Sequence, residues 1–440
     1  MKKLLCLAAV LAVFSCGAAW AKATPDLDNL PVFKSITEMK SGLATNFLLD
    51  LKIFDLGNPD YGSTSDWYFY PVYRAMIAYV FDSKTKIGIF ADVEKPGYAN
   101  ITYPTLKVNE LYGKFREGSF YIQLGRQVFG DKDDLLLGFQ NDAVRLGLLF
   151  PGVDLAFFVA KTALLSPWGS TLDGMVGAAP VFYFGPSMGL KAYLLLGTEP
   201  VTVTPIDPNT GLPGTPRDTI NSNIWTGAKY FMNLPVGSQS YFDLGAQLGL
   251  QFAMARTAAD TAINATSLGL KVDGEFGMQS SSTLGFAVGG HVIYTGGISY
   301  DNLGAVSNYG FVSPNDLVGS GPGFFSKIQD GAGPYTYVDS HIFGPKYQQY
   351  SGVFAFGLTG ELEINQTWIP EIGVWIYSDT DENGQLSGVE PDLGVTFKPS
   401  EVVAFYAQGA FFMPGWSALV PGGPAPNMVS KLLLGSSITF

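Results

Sequence analysis

Residues 241–254 read YFDLGAQLGLQFAM. Phe242, Leu244, Ala246, Leu248, Leu250, Phe252 and Met254 fall on one side of a two-residue repeat. Tyr241, Asp243, Gly245, Gln247, Gly249, Gln251 and Ala253 fall on the other. A period of two is that of a β-strand, in which successive side chains leave opposite faces. The run is far longer than an ordinary strand of about five to six residues. It is long enough for a tilted crossing of a bilayer. Residues 267–277, SLGLKVDGEFG, repeat the pattern: Leu268, Leu270, Val272 and Phe276 oppose Lys271, Asp273 and Glu275.

Runs of this kind recur along the chain, near 43–54, 67–81, 86–94, 105–116, 119–128, 141–150, 153–161, 175–184, 187–197, 223–232, 240–254, 267–277, 283–294, 350–364, 367–377, 391–398, 401–412 and 429–440. They number about eighteen. From the second run onward, the connections alternate between short and long. The short ones include DSKT, REGS, Pro151–Gly152, NQT and KPSE. Outer-membrane barrels have tight periplasmic turns and long outer loops. Lipid offers the backbone no hydrogen-bond partner, so a sheet that crosses it must close on itself. The expected fold is all-β: a transmembrane antiparallel up-and-down barrel of about eighteen strands, with a lumen wide enough for water and a small solute. A soluble sandwich or β-helix would need one shared core rather than eighteen apolar faces with polar backs.

Composition agrees with distributed apolar character. Aromatics make up 14% of the chain and charged residues only 15%, and there are 53 glycines. No run after the leader reaches about 18 consecutive apolar residues, so no membrane-spanning helix is expected. The formal net charge is −12, which excludes attraction to nucleic acid by bulk charge. Lys2 and Lys3, the apolar run Leu4–Phe14 and the small residues Ala19 and Ala21 read as a secretory signal peptide, residues 1–21. A cut after Ala23 is the second choice. A rival reading acylates Cys16, which the bulky Phe14 fits poorly. Both cysteines, Cys6 and Cys16, lie in the leader, so residues 22–440 form a single barrel domain without disulfides.

The polar backs of the strands carry the candidate lumen charges. Arg74, Lys114, Arg145, Lys191 and Lys229 belong to the first ten runs. Asp243, Asp273, Glu275, Glu361, Glu363 and Glu371 follow, with Lys271 among them. Such a division would set a transverse field across the lumen and select among solutes. Acidic Asp50, Asp92, Glu94, Glu110 and Asp154 sit among the basic strands, so a simply solvated, partly paired wall is the competing reading. Arg126 falls by parity with Phe120, Ile122 and Leu124 on the lipid face. A bulge at Gly125 would turn it inward to join the lumen set.

Two loops stand out. Residues 295–349 are rich in Gly, Pro and aromatics, and are read as a constriction folded into the lumen or a lid outside it. Residues 198–222 are Pro/Thr-rich and read as an exposed cover. Residues 379–390, DTDENGQLSGVE, have the D-x-D-x-N-G-x5-E spacing of a twelve-residue calcium loop. Asp379, Asp381 and Asn383 would give side-chain oxygens, Gln385 a carbonyl, Ser387 a hydroxyl or water, and Glu390 a bidentate carboxylate to Ca2+. The competing reading is an acidic hairpin that happens to fit. His291 and His341 are the two histidines, and no hydrolase motif accompanies them.

Over its whole length the chain resembles a Gram-negative outer-membrane porin. Gly125, Arg126, Gln127, Asp142, Arg145 and Asp154 within residues 124–161 also resemble the alginate-export family. That resemblance implies an eighteen-stranded barrel. The acidic composition does not suit a polyuronate, so the fold is carried over and the substrate is not. The expected function is passive diffusion of small hydrophilic solutes or ions. The alternative is an adhesion or structural barrel with partner-binding loops and a plugged lumen. An outer-membrane enzyme is disfavoured. The expected partners are outer-membrane lipid and lipopolysaccharide, the permeating solutes and the barrel-assembly machinery. A homo-oligomer fits this class, though no stripe on the lipid face marks an interface. The final strand, KLLLGSSITF, ends on Phe440. By the same resemblance, a terminal aromatic on a last amphipathic strand implies an assembly signal.

Overall fold

The computed structural model describes residues 42–58, 63–82, 87–96, 107–130, 134–161, 173–185, 187–204, 214–256, 262–281, 283–297, 299–300, 306–308, 310–311, 353–380, 387–414 and 429–439. The leader, His341 and Phe440 lie outside them. The strands are β1 (Gly42–Asn58), β2 (Ser63–Asp82), β3 (Ile87–Pro96), β4 (Lys107–Glu117), β5 (Phe120–Gly130), β6 (Gly138–Phe150), β7 (Val153–Lys161), β8 (Gly174–Ala178), β9 (Val181–Gly185), β10 (Met188–Val203), β11 (Arg217–Pro235), β12 (Ser240–Arg256), β13 (Ala262–Ser281) and β14 (Leu284–Thr295). They continue with β15 (Ser299–Tyr300), β16 (Val306–Asn308), β17 (Val353–Ile364), β18 (Trp368–Asp379), β19 (Ser387–Ser400), β20 (Val403–Pro414) and β21 (Val429–Thr439).

Nineteen segments form one antiparallel sheet, and β15 and β16 form a separate two-stranded one. Each long strand pairs with its sequence neighbours. β21 then pairs with β1 from Leu48↔Thr439 to Gly57↔Ser430, so the sheet closes. β8 and β9 occupy one position in the wall, both lying between β7 and β10. The expected single run at 175–184 is interrupted at Ala179–Pro180, because proline has no N–H to give the ladder. Its carbonyl still accepts from Ala192 N–H at 2.9 Å. The wall therefore has eighteen strand positions, the expected number.

The outer surface is apolar. Leu194, Leu248, Leu250, Phe252, Leu268, Val374 and Leu434 are exposed, while their neighbours Leu195, Gln247, Gln251, Trp375 and Leu433 are buried within the barrel. Short connections at 118–119, 151–152, 365–367 and 401–402 share one end. Outward aromatics cluster beside the short turns: Phe81, Phe120, Phe150, Phe184 and Trp368. That is the girdle expected where a barrel meets a membrane interface.

Two expectations on strand extent are corrected. The 198–222 cover is largely a hairpin extension, with Thr198↔Ser222 through Val203↔Arg217 in register. Likewise β13 continues from Ala262 to Ser281, beyond the alternating core of the run.

Candidate functional site

The inner faces of β10 to β13 form three rows, each held by direct cross-strand register. The lowest is Lys191, Lys229, Gln247 and Lys271. Next comes Tyr193, Gly227, Gly249, Gly269 and Thr295. Above it lie Leu195, Trp225, Gln251 and Ser267. The middle row is a shallow trough, because three adjacent strands present glycine where side chains would stand.

Residues Asp134–Leu137, in the connection between β5 and β6, fold into the barrel and fill this trough. Asp134, Leu135 and Leu136 are 0% exposed. Leu135 N–H donates to Gln247 Oε1 at 2.7 Å. The Tyr193 hydroxyl donates to Asp134 Oδ2 at 2.6 Å. Lys191 Nζ and Lys229 Nζ lie 3.6 and 3.7 Å from the same oxygen. Asp134 Oδ1 accepts from Leu136 N–H at 2.9 Å, which fixes the local turn. A Cβ on Gly249 would stand 2.4 Å from Leu136 Cδ2, and one on Gly269 would stand 3.1 Å from Leu135 Cδ2. Phe311, from the long 295–349 loop, packs on the same two glycines and is 0% exposed. This part of the long loop is thus inside the lumen; residues 312–349 lie outside the described residues.

Against the segment is a cavity of about 390 Å3, lined by Leu137, Arg145, Lys191, Lys229 and the rings of Phe129, Phe158, Tyr183 and Phe231. Its cations rest on aromatic faces. Arg145 lies 5.8 Å from the Tyr121 centroid and 5.9 Å from that of Phe129, and Lys191 lies 4.9 Å from that of Tyr193. Lys114 stands 5.0 Å over Tyr121. Such contacts hold long cationic side chains in place while leaving their charge toward the lumen. Arg74 lies on the inner face of β2, where alternation sets it with buried Met76 and Ala78, opposite Glu94 in register.

The carboxylates occupy the adjoining arc. Asp243 faces Glu275 directly, and Glu361 faces Glu371. Asn233 Nδ2 donates to Asp243 Oδ1. Glu361 and Glu363 line a second cavity, of about 580 Å3, beside the 236–239 turn. Asp273 accepts from His291 or shares its proton at 3.0 Å, and lies 3.5 Å from Lys271 Nζ. His291 Nε2 is 3.3 Å from Thr359 Oγ1, and its ring stacks 5.2 Å from Trp375. The Asp273–His291–Thr359 line has the polarity of a hydrolytic triad. However, Thr359 is buried and paired on both sides, with Gly289 and Gly373. Strand pairing leaves it no backbone donor pair of the kind an oxyanion hole needs, and we assign the group to the wall.

Arg126 is corrected. No bulge occurs at Gly125: the registers with β4 and β6 run through it unbroken. Gly125 is needed for another reason, a φ of +120° and a close approach to β4, where a Cβ would lie 2.3 Å from Leu111 O. Parity is kept, so Arg126 stays outside. It is matched there by its direct cross-strand partner Asp142, with Nε–Oδ1 at 3.1 Å and a second contact at 3.3 Å.

Of the stretch with calcium-loop spacing, residues 379–380 and 387–390 are described. Asp379 closes β18, while Ser387 to Glu390 begin β19 and pair with Trp375 to Ser378. Glu390 is 0% exposed and accepts from the Tyr377 hydroxyl at 2.8 Å. Asp381, Asn383 and Gln385 lie outside the described residues.

A closed eighteen-position barrel with an apolar exterior, a charged interior and an inserted constriction has the architecture of an outer-membrane channel. No family model matches the chain, and no curated protein matches it in sequence. Solved structures do match. Acinetobacter baumannii OccAB3 superposes with a TM-score of 0.58 at 10% identity, covering 90% of this chain and 99% of that one. Pseudomonas aeruginosa OpdQ gives 0.57 at 10% identity, over 91% and 99%. P. aeruginosa OpdK with vanillate gives 0.54 at 12%, over 90% and 98%. At these identities the likeness is one of fold.

Proposed function

We propose that this protein is a bacterial outer-membrane channel for passive diffusion of small hydrophilic solutes or ions. The observation that carries the reading is the closed barrel, apolar outside, with charged side chains of both signs on its inner wall around an inserted segment. Among solutes, small organic carboxylates suit it best. Arg145, Lys191 and Lys229 converge on a cavity that also offers aromatic rings, and the similar OpdK structure is one with vanillate, a carboxylate. On this reading the leader directs export, the outer band meets lipid and lipopolysaccharide, and the last strand engages the assembly machinery. Purified protein in planar bilayers should give stepwise single-channel currents in KCl. Failure to conduct under any applied voltage would favour the plugged structural barrel instead.

Cation binding at residues 379–390 is a separate element of the proposal. It rests on the spacing of the oxygen-bearing side chains.

A further inference from the structure

Lys191 and Lys229 are direct cross-strand partners on the inner wall. Like charges placed opposite each other destabilise a sheet unless something lies between them. Here Asp134 does, with one carboxylate oxygen reached by both ammonium groups and by the Tyr193 hydroxyl. Two cations and one hydroxyl converging on a single carboxylate make a carboxylate site, and the chain fills it with its own residue.

We infer that Asp134 is an internal stand-in for a permeating carboxylate, and that this contact latches the constriction shut. The inference rests on the channel reading above. The latch and the plug are mechanically one piece. Asp134 is followed at once by Leu135 and Leu136, which occupy the glycine trough. The leucines fill that trough and Leu135 N–H holds Gln247, and the charged contact at Asp134 anchors the start of the same segment. The site also opens sideways: Lys191 and Lys229 line the cavity in which Arg145 and Leu137 stand. A small carboxylate entering that cavity reaches the same ammonium groups that hold Asp134. It competes for them without first displacing the leucines. Once Asp134 is released, its buried carboxylate is uncompensated, which disfavours its remaining inside the barrel.

Asp134→Asn tests the latch. The amide oxygen can keep the Leu136 N–H, while the amide NH2 takes the other position, where the Tyr193 hydroxyl can turn to accept from it; the charge that joins the two lysines is gone. Gly249→Ala is the second variant. Its new methyl would stand 2.4 Å from Leu136 Cδ2 and 3.3 Å from Phe311 Cζ, so it crowds the plug in its trough while leaving Asp134, Lys191 and Lys229 chemically intact. Wild-type and variant channels are recorded in planar bilayers in potassium chloride and in potassium benzoate. In chloride, both variants should raise the ratio of open to closed time by about tenfold or more, Asp134→Asn because it removes the buried charge that joins the two lysines and Gly249→Ala because it crowds Leu136 in the trough. Benzoate should raise that ratio in the wild type and have little further effect on either variant. If the wild type conducts but Asp134→Asn matches it in both salts, the latch is overturned and the channel reading stands. If the wild type and both variants all fail to conduct, although heat-modifiable on gels as folded barrels, both readings fall together.

Discussion

Arg126 and Asp142 illustrate how a single side chain is decided by its cross-strand neighbour. An isolated arginine on the lipid face of a barrel costs roughly 2–4 kcal/mol at mid-bilayer, which made an inward turn attractive from sequence. The structure keeps it outside and gives it a bidentate partner one strand away. The cost of removing one partner should therefore exceed the cost of removing both. Arg126→Leu should destabilise the barrel by about 1–3 kcal/mol, because a lone Asp142 is left on the outer face. Arg126→Leu combined with Asp142→Leu should lie closer to wild type than the single variant does. Urea unfolding from phospholipid vesicles measures both. Parity of residue 126 was legible in the sequence. Its pairing was not, because residues 16 apart meet only once the β5–β6 register is known.

At the scale of elements, eighteen strands and their inside and outside faces were legible, because an alternation sustained over ten residues leaves little choice of secondary structure. The inserted segment was not. Asp134–Leu137 falls in one of the longer connections, between the runs at 119–128 and 141–150, and its trough is built from Gly227, Gly249 and Gly269, which become neighbours only through the registers of β11 to β13. An apolar Leu135–Leu137 run inside a connector was the one available signal. Residues 379–390 carry a strong local spacing whose last four positions, Ser387 to Glu390, also pair in β19. If the oxygens still gather a cation, chelator should lower the thermal midpoint of the wild type, and Asp381→Ala should abolish that difference. Equal midpoints with and without chelator would show the spacing to be an acidic hairpin. The last strand carries its own prediction. β21 closes the sheet against β1 along ten register pairs, so its pairing does not depend on Phe440. Deleting Phe440 should reduce the yield of membrane-inserted barrel in cells, while material refolded in detergent should keep wild-type stability.

For the whole molecule, the consequence of closure is that charges far apart in sequence line one lumen. Lys114, Arg145, Lys191 and Lys229 come from β4, β6, β10 and β11, whereas Asp243, Asp273, Glu275, Glu361, Glu363 and Glu371 come from β12 to β18. Low-dielectric walls focus the resulting field on the lumen. Asp134 neutralises part of the basic wall beside Lys191 and Lys229, while Lys114 and Arg145 are cations seated on aromatic rings. The two arcs should therefore act with opposite sign on permeating ions. Glu361→Gln with Glu363→Gln removes negative charge beside the 236–239 turn and should move the reversal potential in a KCl gradient toward chloride. Lys114→Gln with Arg145→Gln should move it toward potassium. Each shift should correspond to a change in permeability ratio on the order of twofold in dilute salt. Screening shortens the reach of these charges from about 10 Å at 0.1 M to about 3 Å at 1 M, so both shifts should shrink as the salt is raised. Shifts of the same sign from the two pairs, or shifts insensitive to salt, would mean that the arcs are structural features of the wall and that the constriction alone governs passage.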